Sequence, residues 1–536
     1  MGSPFRRLGP SCDRCPEASS SVRLNEGVKT ALIDLLRSDL QTGGYTTDAV
    51  AERLGLEAEE ALGREHTVPA ARVLDDRRRH GRRDSLDVLV DLFLLARGVD
   101  RGDVDAAFPS LGPEGARELG LLTATHVSEV EVWTATLDVH PYAFSDDHGD
   151  GHWWILSDLG ERALGGALPE DHVLGVGGAS LTLAGITVPT RVGTVLDLGT
   201  GCGIQALHAS RSADRVIATD ISQRAVDLAR ANARLNGIDT IEVRLGNLFE
   251  PVAGERFDRI VTNPPFVITP RTDGVPLYDY RDGGMVGDAL VEAVVRGCAE
   301  HLLPGGTAQM LGNWEYTRAS DGLSRIGGWV DGLGLDAWVV EREHLDPAFY
   351  AETWIRDGGT RPGMAEFDAL SGAWLDDFED RGVTGVGFGF VTLHRPAADR
   401  DPVVRLERAT GTLETAGLGS HIARCVATVD WAAGLSDDEL ASHALVVAPD
   451  VTVEHHLLPG HDEPTAILLR QGQGFRRAIS AGTGLAALVG ASDGTLGVGA
   501  ILAAIAHLLE VDADALAAET IPDVRRLLAD GILLPA

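Results

Sequence analysis

The stretch Val195-Leu196-Asp197-Leu198-Gly199-Thr200-Gly201-Cys202-Gly203 decides how the middle of this chain is read. It is an apolar strand that breaks into a glycine-rich turn and opens a helix from Ile204 onward. Such a turn lets backbone approach a ligand closely, with helix N–H groups facing it. A dinucleotide fingerprint would place its third glycine at position 204, whereas the glycines here fall at 199, 201 and 203. The next apolar run ends in Ala218-Thr219-Asp220, which sets a carboxylate where it can accept hydrogen bonds from both hydroxyls of a ribose.

Outward from this turn, TVLDLGT, RVIATD, IEVRLG, FDRIVTN, TAQMLGN, DAWVVE and GVGFGFVTL alternate with helical stretches over residues 166–396. That alternation predicts an α/β Rossmann-like domain with a seven-stranded, mainly parallel sheet. Its last strand follows a helical insertion at about 344–382 and is expected to run antiparallel. The fourth run, Phe257 to Thr262, leads straight into Asn263-Pro264-Pro265-Phe266. Two prolines fix the backbone and remove two N–H donors, leaving carbonyls free. A planar NH2 group carries two N–H bonds; the Asn263 side-chain oxygen can accept one and the Pro264 carbonyl the other. Phe266 can stack on a planar amide or base.

Together these residues resemble the class I S-adenosylmethionine-dependent methyltransferases. The resemblance implies that Gly199, Thr200, Gly201 and Gly203 form a cofactor loop shaped by Asp197, and that Asp220 and its neighbour Ile221 hold the adenosine. Asn247 and Leu248, after the third strand, stand at the adenine. Thr182, in Gly177-Gly178-Ala179-Ser180-Leu181-Thr182, stands at the methionine end or caps a helix. S-adenosyl-L-methionine is the expected methyl donor, with no metal. The tetrad Asn263, Pro264, Pro265, Phe266 is shared by enzymes that methylate exocyclic base amines and by those that methylate glutamine side chains. The continuation Val267-Ile268-Thr269-Pro270, then Tyr280 to Asp288 with glycines at 283, 284 and 287, is similar to the HemK-like glutamine N5-methyltransferases. That likeness implies a glutamine amide of a translation protein, of the release factor or ribosomal protein class, as substrate. Phe266 stands where that family has Tyr, and NPPF is the form of ribosomal RNA guanine N2 enzymes, so adenine N6 or guanine N2 of a nucleic acid is the alternative.

The chain has 536 residues, enough for roughly three or four domains. Residues 1–24, with Cys12 and Cys15, read as a mobile leader. Residues 25–165 read as helices plus a β-hairpin, a winged-helix-like domain with strands at 129–137 and 152–157. Residues 397–536 read as a small α+β domain, again winged-helix-like, with a tight Asp493-Gly494 turn between helices. His140, His148 and His152 with Asp146, Asp147 and Asp150 crowd one turn, read as a hairpin connection rather than a metal site. Asn313, Trp314 and Tyr316 stand at a strand end, as pocket lining or core aromatics.

Formal net charge is −34, from 46 basic and 80 acidic residues, which opposes long-range attraction to a polyanion. Nucleic acid would need a local patch such as Arg77, Arg78, Arg79, Arg82 and Arg83, otherwise read as a solvated loop. Five cysteines and no apolar leader point to a reduced, cytoplasmic protein. No apolar run is long enough for a membrane span.

Overall fold

Buried apolar runs set the order of the central sheet. The computed structural model of this chain describes residues 26–127, 130–164, 168–278, 280–409 and 413–536; the expected leader at 1–24, with its two cysteines, lies outside them. The sheet contains β1 (Val192–Leu198), β2 (Ala213–Asp220), β3 (Ile241–Leu245), β4 (Phe257–Thr262), β5 (Leu302–Thr317), β6 (Asp336–Leu345), β7 (Val383–His394) and β8 (Val404–Arg408). Their spatial order is β8-β6-β7-β5-β4-β1-β2-β3. β7 is antiparallel to both β5 and β6, and every other pairing is parallel. The inner strands β1 and β4 carry continuous apolar runs because both faces are covered: Val195, Leu196 and Ile260 are fully buried.

Helices α1 (Gly178–Ile186), α2 (Ile204–Ser210), α3 (Gln223–Leu235), α4 (Ala289–His301) and α5 (Gly322–Val330) flank the sheet. α3 starts where the Ser222 hydroxyl accepts from Ala225 N–H and stops before Gly237, whose φ of 69° ends the helix. Between β6 and β7 lies the insertion, α6 (Pro347–Asp357) and α7 (Ala365–Arg381). Asp346 caps α6 by accepting from Ala348 and Phe349 N–H, and Gly382 at φ 69° ends α7. These helices pack on Val267 and Ile268 through Tyr350, Ile355, Trp374 and Phe378. The insertion is therefore a cap over the segment that follows β4.

Three expectations change. The sheet has eight strands, because Val404–Arg408 adds a parallel edge beside β6, so the boundary expected at 396 falls inside it. β8 is tied down by Arg400, which bonds Asp336 at 2.7 and 2.6 Å and Asp430 at 2.8 Å, while His394 Nδ1 lies 3.0 Å from Asp336. Burial would raise the Asp336 carboxyl, yet His394 and Arg400 hold it at about 2. Asp336, His394 and Asp430 bring ligand atoms within 4.8 Å of one another, but Arg400 already supplies their cation.

In the N-terminal region the runs at 129–137 and 152–157 do not pair with each other. Val130–Ala135 pairs with Leu122–Val127, and Gly149–Ser157 with Asp138–Asp146. Near the C-terminus, Asp493–Gly497 is a strand rather than a turn, in a sheet with Ala444–Val447 and Leu533–Pro535. Among the described residues no helix is long and apolar enough to cross a membrane.

The hairpin ending at Ser157 is joined to the central domain by two asparagines of one helix, Asn232 within α3 and Asn236 at its end. Asn232 Nδ2 donates to the carbonyls of Leu156 and Cys202, both at 2.8 Å, and its Oδ1 accepts Leu156 N–H at 2.7 Å. Asn236 makes the equivalent pair of bonds with Trp154, both at 2.9 Å. Cys202 lies in the glycine turn, so the N-terminal hairpin and that turn share one buried amide.

Candidate active site

Parallel pairing brings four strand tips to one edge. Leu198 pairs with both Thr219 and Thr262, and Asp220 pairs with Leu245. Thr262 Oγ1 donates to the Leu198 carbonyl at 2.7 Å, locking the β1 and β4 tips together. The segments that follow these strands, Gly199 to Gly203, Asp220-Ile221, Gly246 to Leu248, and Asn263 to Phe266, therefore open onto one place. This carboxyl edge is where open α/β sheets bind ligands.

The glycine turn has the conformation its sequence requires. Gly199, Gly201 and Gly203 have φ of 72°, 57° and 89°, a region other residues rarely adopt. A Cβ on Gly199 or Gly201 would meet nothing within 4 Å, whereas one on Gly203 would come within 3.2 Å of Ala229 in α3. The first two glycines thus leave an open face, and the third lets the helix pack closely. Asp220 Oδ2 accepts Gly201 N–H and Oδ1 accepts Ser222 N–H, both at 2.9 Å. Its neighbour Ile221 is 68% exposed, a bare apolar surface beside a carboxylate.

Asp197 is buried beneath the turn. Its Oδ2 accepts Thr200 Oγ1–H at 2.6 Å and Ala206 N–H at 2.9 Å, while Oδ1 is shielded and has no hydrogen-bond partner among the described residues. Burial pushes this carboxyl up to about 7 against those two bonds, and the charge of Asp220 adds to the rise. After β3, Asn247 accepts Glu250 N–H through its backbone carbonyl, and Leu248 sits at φ 44°. Thr182 lies half-buried on α1, which reaches the turn's helix through Gln205 Nε2 and the Ser180 carbonyl at 2.8 Å.

At the β4 tip the Asn263 Oδ1 is shielded from solvent and accepts no hydrogen bond among the described residues. An unsatisfied buried acceptor costs about 1 to 3 kcal/mol, so its retention at a strand tip points to a donor supplied from outside the chain. Pro264 is buried and Pro265 half-buried. Phe266 packs against Phe388 of β7 (centroids 5.4 Å apart) and Trp354 of α6 (6.5 Å), and its backbone bridges to Asp282. Arg281 and Asp282 are braced there: Val267 N–H donates to the Arg281 carbonyl at 2.8 Å, and Arg281 Nη1 bonds Asp357 Oδ2 at 2.7 Å.

Trp314 and Tyr316 belong to the core rather than to a pocket. Trp314 is fully buried with Nε1 on Glu341 Oε2 at 2.7 Å, and Tyr316 OH bonds the same carboxylate. Asn313 remains at the site, with its Oδ1 buried and unpartnered. Arg281 lies in the Tyr280–Asp288 motif quoted from the sequence, whereas Tyr350 and Trp354 of the cap were not singled out. An aromatic pair at positions 350 and 354, four apart on one helix, was the available signal.

The arginine cluster is not a free basic patch. Arg77 pairs with Asp84 and Asp87, Arg78 with Asp100, Arg79 and Arg82 with Asp76, and Arg83 with Asp91 and Asp103. Arg77–Arg79 end the helix Val68–Arg79 instead of lying in a loop. The expected histidine-rich turn is spread along a hairpin: His140 lies in the strand Asp138–Asp146 and His152 in Gly149–Ser157, and of the three only His148 is in the turn, with Nε2 3.1 Å from the Pro189 carbonyl, while Asp146 pairs with Arg211 at 2.8 Å.

Residues 177–320 match the family model described as methyltransferase small domain, and residues 42–132 match a domain of unknown function, DUF7059. A release factor glutamine methyltransferase of Xylella fastidiosa is 37% identical over 145 residues, 25% of this chain and 52% of that protein. A ribosomal protein uL3 glutamine methyltransferase of Bradyrhizobium diazoefficiens is 36% identical over 155 residues, 27% of this chain and 47% of that protein. Ribosomal RNA small subunit methyltransferase C of Escherichia coli is 33% identical over 138 residues, 25% of this chain and 35% of that protein. The chain thus spans about half the length, or less, of these relatives. Residues 177–320, which hold the strand tips just described, are what this chain shares with these methyltransferases and with the methyltransferase small domain model.

Proposed function

We propose that this chain is an S-adenosylmethionine-dependent N-methyltransferase that modifies a glutamine side-chain amide of a translation protein in the cytoplasm. One observation carries the reading: the shielded, unpartnered Asn263 Oδ1 at the β4 tip, beside a glycine turn whose open face and acidic strand end suit an adenosyl ligand. Asp220 has the carboxylate for two ribose hydroxyls, exposed Ile221 an apolar face for adenine, and Asn247 a side-chain amide to meet its edge. Gly199, Thr200, Gly201 and Gly203 line the approach, and Thr182 stands on the helix beside it.

The bound cofactor supplies an activated methyl group on a sulfonium. The chain's own task is then mostly positioning. Asn263 Oδ1 takes one N–H of the substrate amide and the Pro264 carbonyl takes the other, leaving the nitrogen lone pair directed at the methyl carbon. Pro265 stiffens the clamp and Phe266 covers the amide plane. With the donor bound, its sulfonium would give up the methyl group to this nitrogen, and the nitrogen, held by Asn263 and Pro264, would shed one of its two protons. Holding the reacting atoms about 3 to 3.5 Å apart accounts for most of the acceleration expected, so no strong base is required.

The alternative, methylation of an exocyclic base amine of RNA or DNA, draws on Phe266 and on the likeness to ribosomal RNA small subunit methyltransferase C. Charge disfavours it: the net is −34, and Arg77, Arg78, Arg79, Arg82 and Arg83 each lie within ion-pair distance of an aspartate. The test is transfer from labelled donor to a mixture of ribosomes and release factors, followed by nuclease or protease. Label that survives nuclease and is lost with protease supports the reading; the reverse outcome rejects it.

A further inference from the structure

Tyr350 of α6 lies at the junction of the cap, the sheet and the segment after the β4 tip. Its side chain is buried, and its ring is fixed by Trp354, Trp374 and Phe378 with centroids 6.0 to 6.1 Å away. Two donors converge on the hydroxyl: Ile268 N–H at 3.1 Å and Asn313 Nδ2 at 2.6 Å. Ile268 is two residues beyond Phe266, and its neighbour Val267 is held from the other side by the Arg281 carbonyl at 2.8 Å. Asn313 stands on β5, beside β4, opposite the same Phe388 that Phe266 touches.

We propose that Tyr350 is a positioning residue for the methyl transfer, its hydroxyl fixing the Asn263-to-Thr269 segment against β5 so that the amide clamp is set before substrate arrives. The proposal rests on the methyltransferase reading above and concerns how its clamp is held. Desolvation by burial keeps the phenol well above its ordinary range, so the hydroxyl stays neutral throughout working pH. The insertion is thus more than a lid: it supplies the one hydroxyl that the Ile268 amide bonds. Without it, Ile268 N–H and the Asn313 amide lose their partner in a buried place, and the segment is free to shift. A displacement on the order of 1 Å at a reacting centre lowers turnover by about a hundredfold.

The experiment compares the full chain with Tyr350→Phe, Asn313→Ala and the double variant, with donor affinity and hydrogen exchange over residues 264–270 as further readouts. Transfer is measured to release factor or, if the parent labels RNA instead, to ribosomal RNA. In Tyr350→Phe, kcat should fall on the order of 10- to 100-fold, with KM and donor Kd within about threefold of the parent. Exchange at Ile268 should quicken at least about tenfold, and the double variant should lose little more than the worse single one, since both share one bond. A kcat within threefold of the parent, unchanged exchange at Ile268, or fully additive losses would each overturn the proposal. Labelling of RNA by the parent defeats the glutamine reading alone and leaves the Tyr350 comparison to be decided on RNA; labelling of neither removes the reading on which the proposal rests.

Discussion

Replacing Asn232 by leucine keeps the size of a fully buried side chain while removing all its hydrogen bonds. Three bonds go: two that Nδ2 donates, to Leu156 and Cys202 carbonyls, and one that Oδ1 accepts from Leu156 N–H. At about 1 kcal/mol net for each bond the loss is about 3 kcal/mol, and stranding buried polar groups raises it toward about 5 kcal/mol. Folded domains are stable by about 5 to 15 kcal/mol, so the variant should fold but be visibly weakened. Because Cys202 belongs to the glycine turn, donor affinity should fall as well, by about tenfold if roughly 1.4 kcal/mol of the loss reaches the turn. Asn236→Leu is the matched control. It breaks the bonds to Trp154 but touches no residue of the turn, so it should loosen the hairpin and leave donor affinity unchanged. Urea unfolding followed by tryptophan fluorescence, with calorimetric donor titration, measures both quantities. A stability loss under about 1 kcal/mol in Asn232→Leu, or equal donor affinities in the two variants, would refute the shared-amide argument.

Other outcomes follow from the same geometry. Asp220→Ala strands Gly201 and Ser222 N–H and removes the ribose acceptor; two charge-assisted bonds at about 1.5 to 3 kcal/mol each imply a donor Kd weaker by at least a hundredfold in calorimetry. Asn263→Ala should keep donor Kd within about threefold while turnover falls at least about a hundredfold, and a comparable loss of both would show that Asn263 supports the cofactor instead. Asp197 has its folded pKa raised from 3.8 to about 7, so the protonated form is favoured by folding. Its contribution is full below about pH 4 and is lost as pH rises through 7, an effect of up to about 4 kcal/mol. Asp197→Asn should flatten the fall in stability between pH 4 and 7; an unchanged profile would mean the carboxyl is ionised in the folded chain.

The parts of this molecule that could be read from the sequence are those whose physics is local. β1, β2 and β4 are apolar runs ended by glycine, Asp220 and proline, and their parallel order follows from helices between them. Gly199, Gly201 and Gly203 were read as a turn that lets backbone approach a ligand, and all three adopt positive φ. β8 was missed because Val404 to Arg408 carries two arginines and a glutamate on an edge strand and so shows no buried run; Arg400 and Asp336, 64 residues apart, hold its approach in place. The helices of the insertion were legible, but their position was not, since Tyr350 meets Ile268 across 82 residues. The ion pairs of the arginine cluster were hidden for the same reason. A run of like charge looks free until Asp84, Asp87, Asp91, Asp100 and Asp103 are folded onto it.

The most direct measurement is tandem mass spectrometry of substrate protein incubated with the chain and isotopically labelled methyl donor. One labelled methyl group is expected on the side-chain nitrogen of a glutamine, present with the parent and absent with Asn263→Ala. Label confined to a nucleobase would contradict the substrate assignment. Label on glutamine at an undiminished level with Asn263→Ala would contradict the clamp itself.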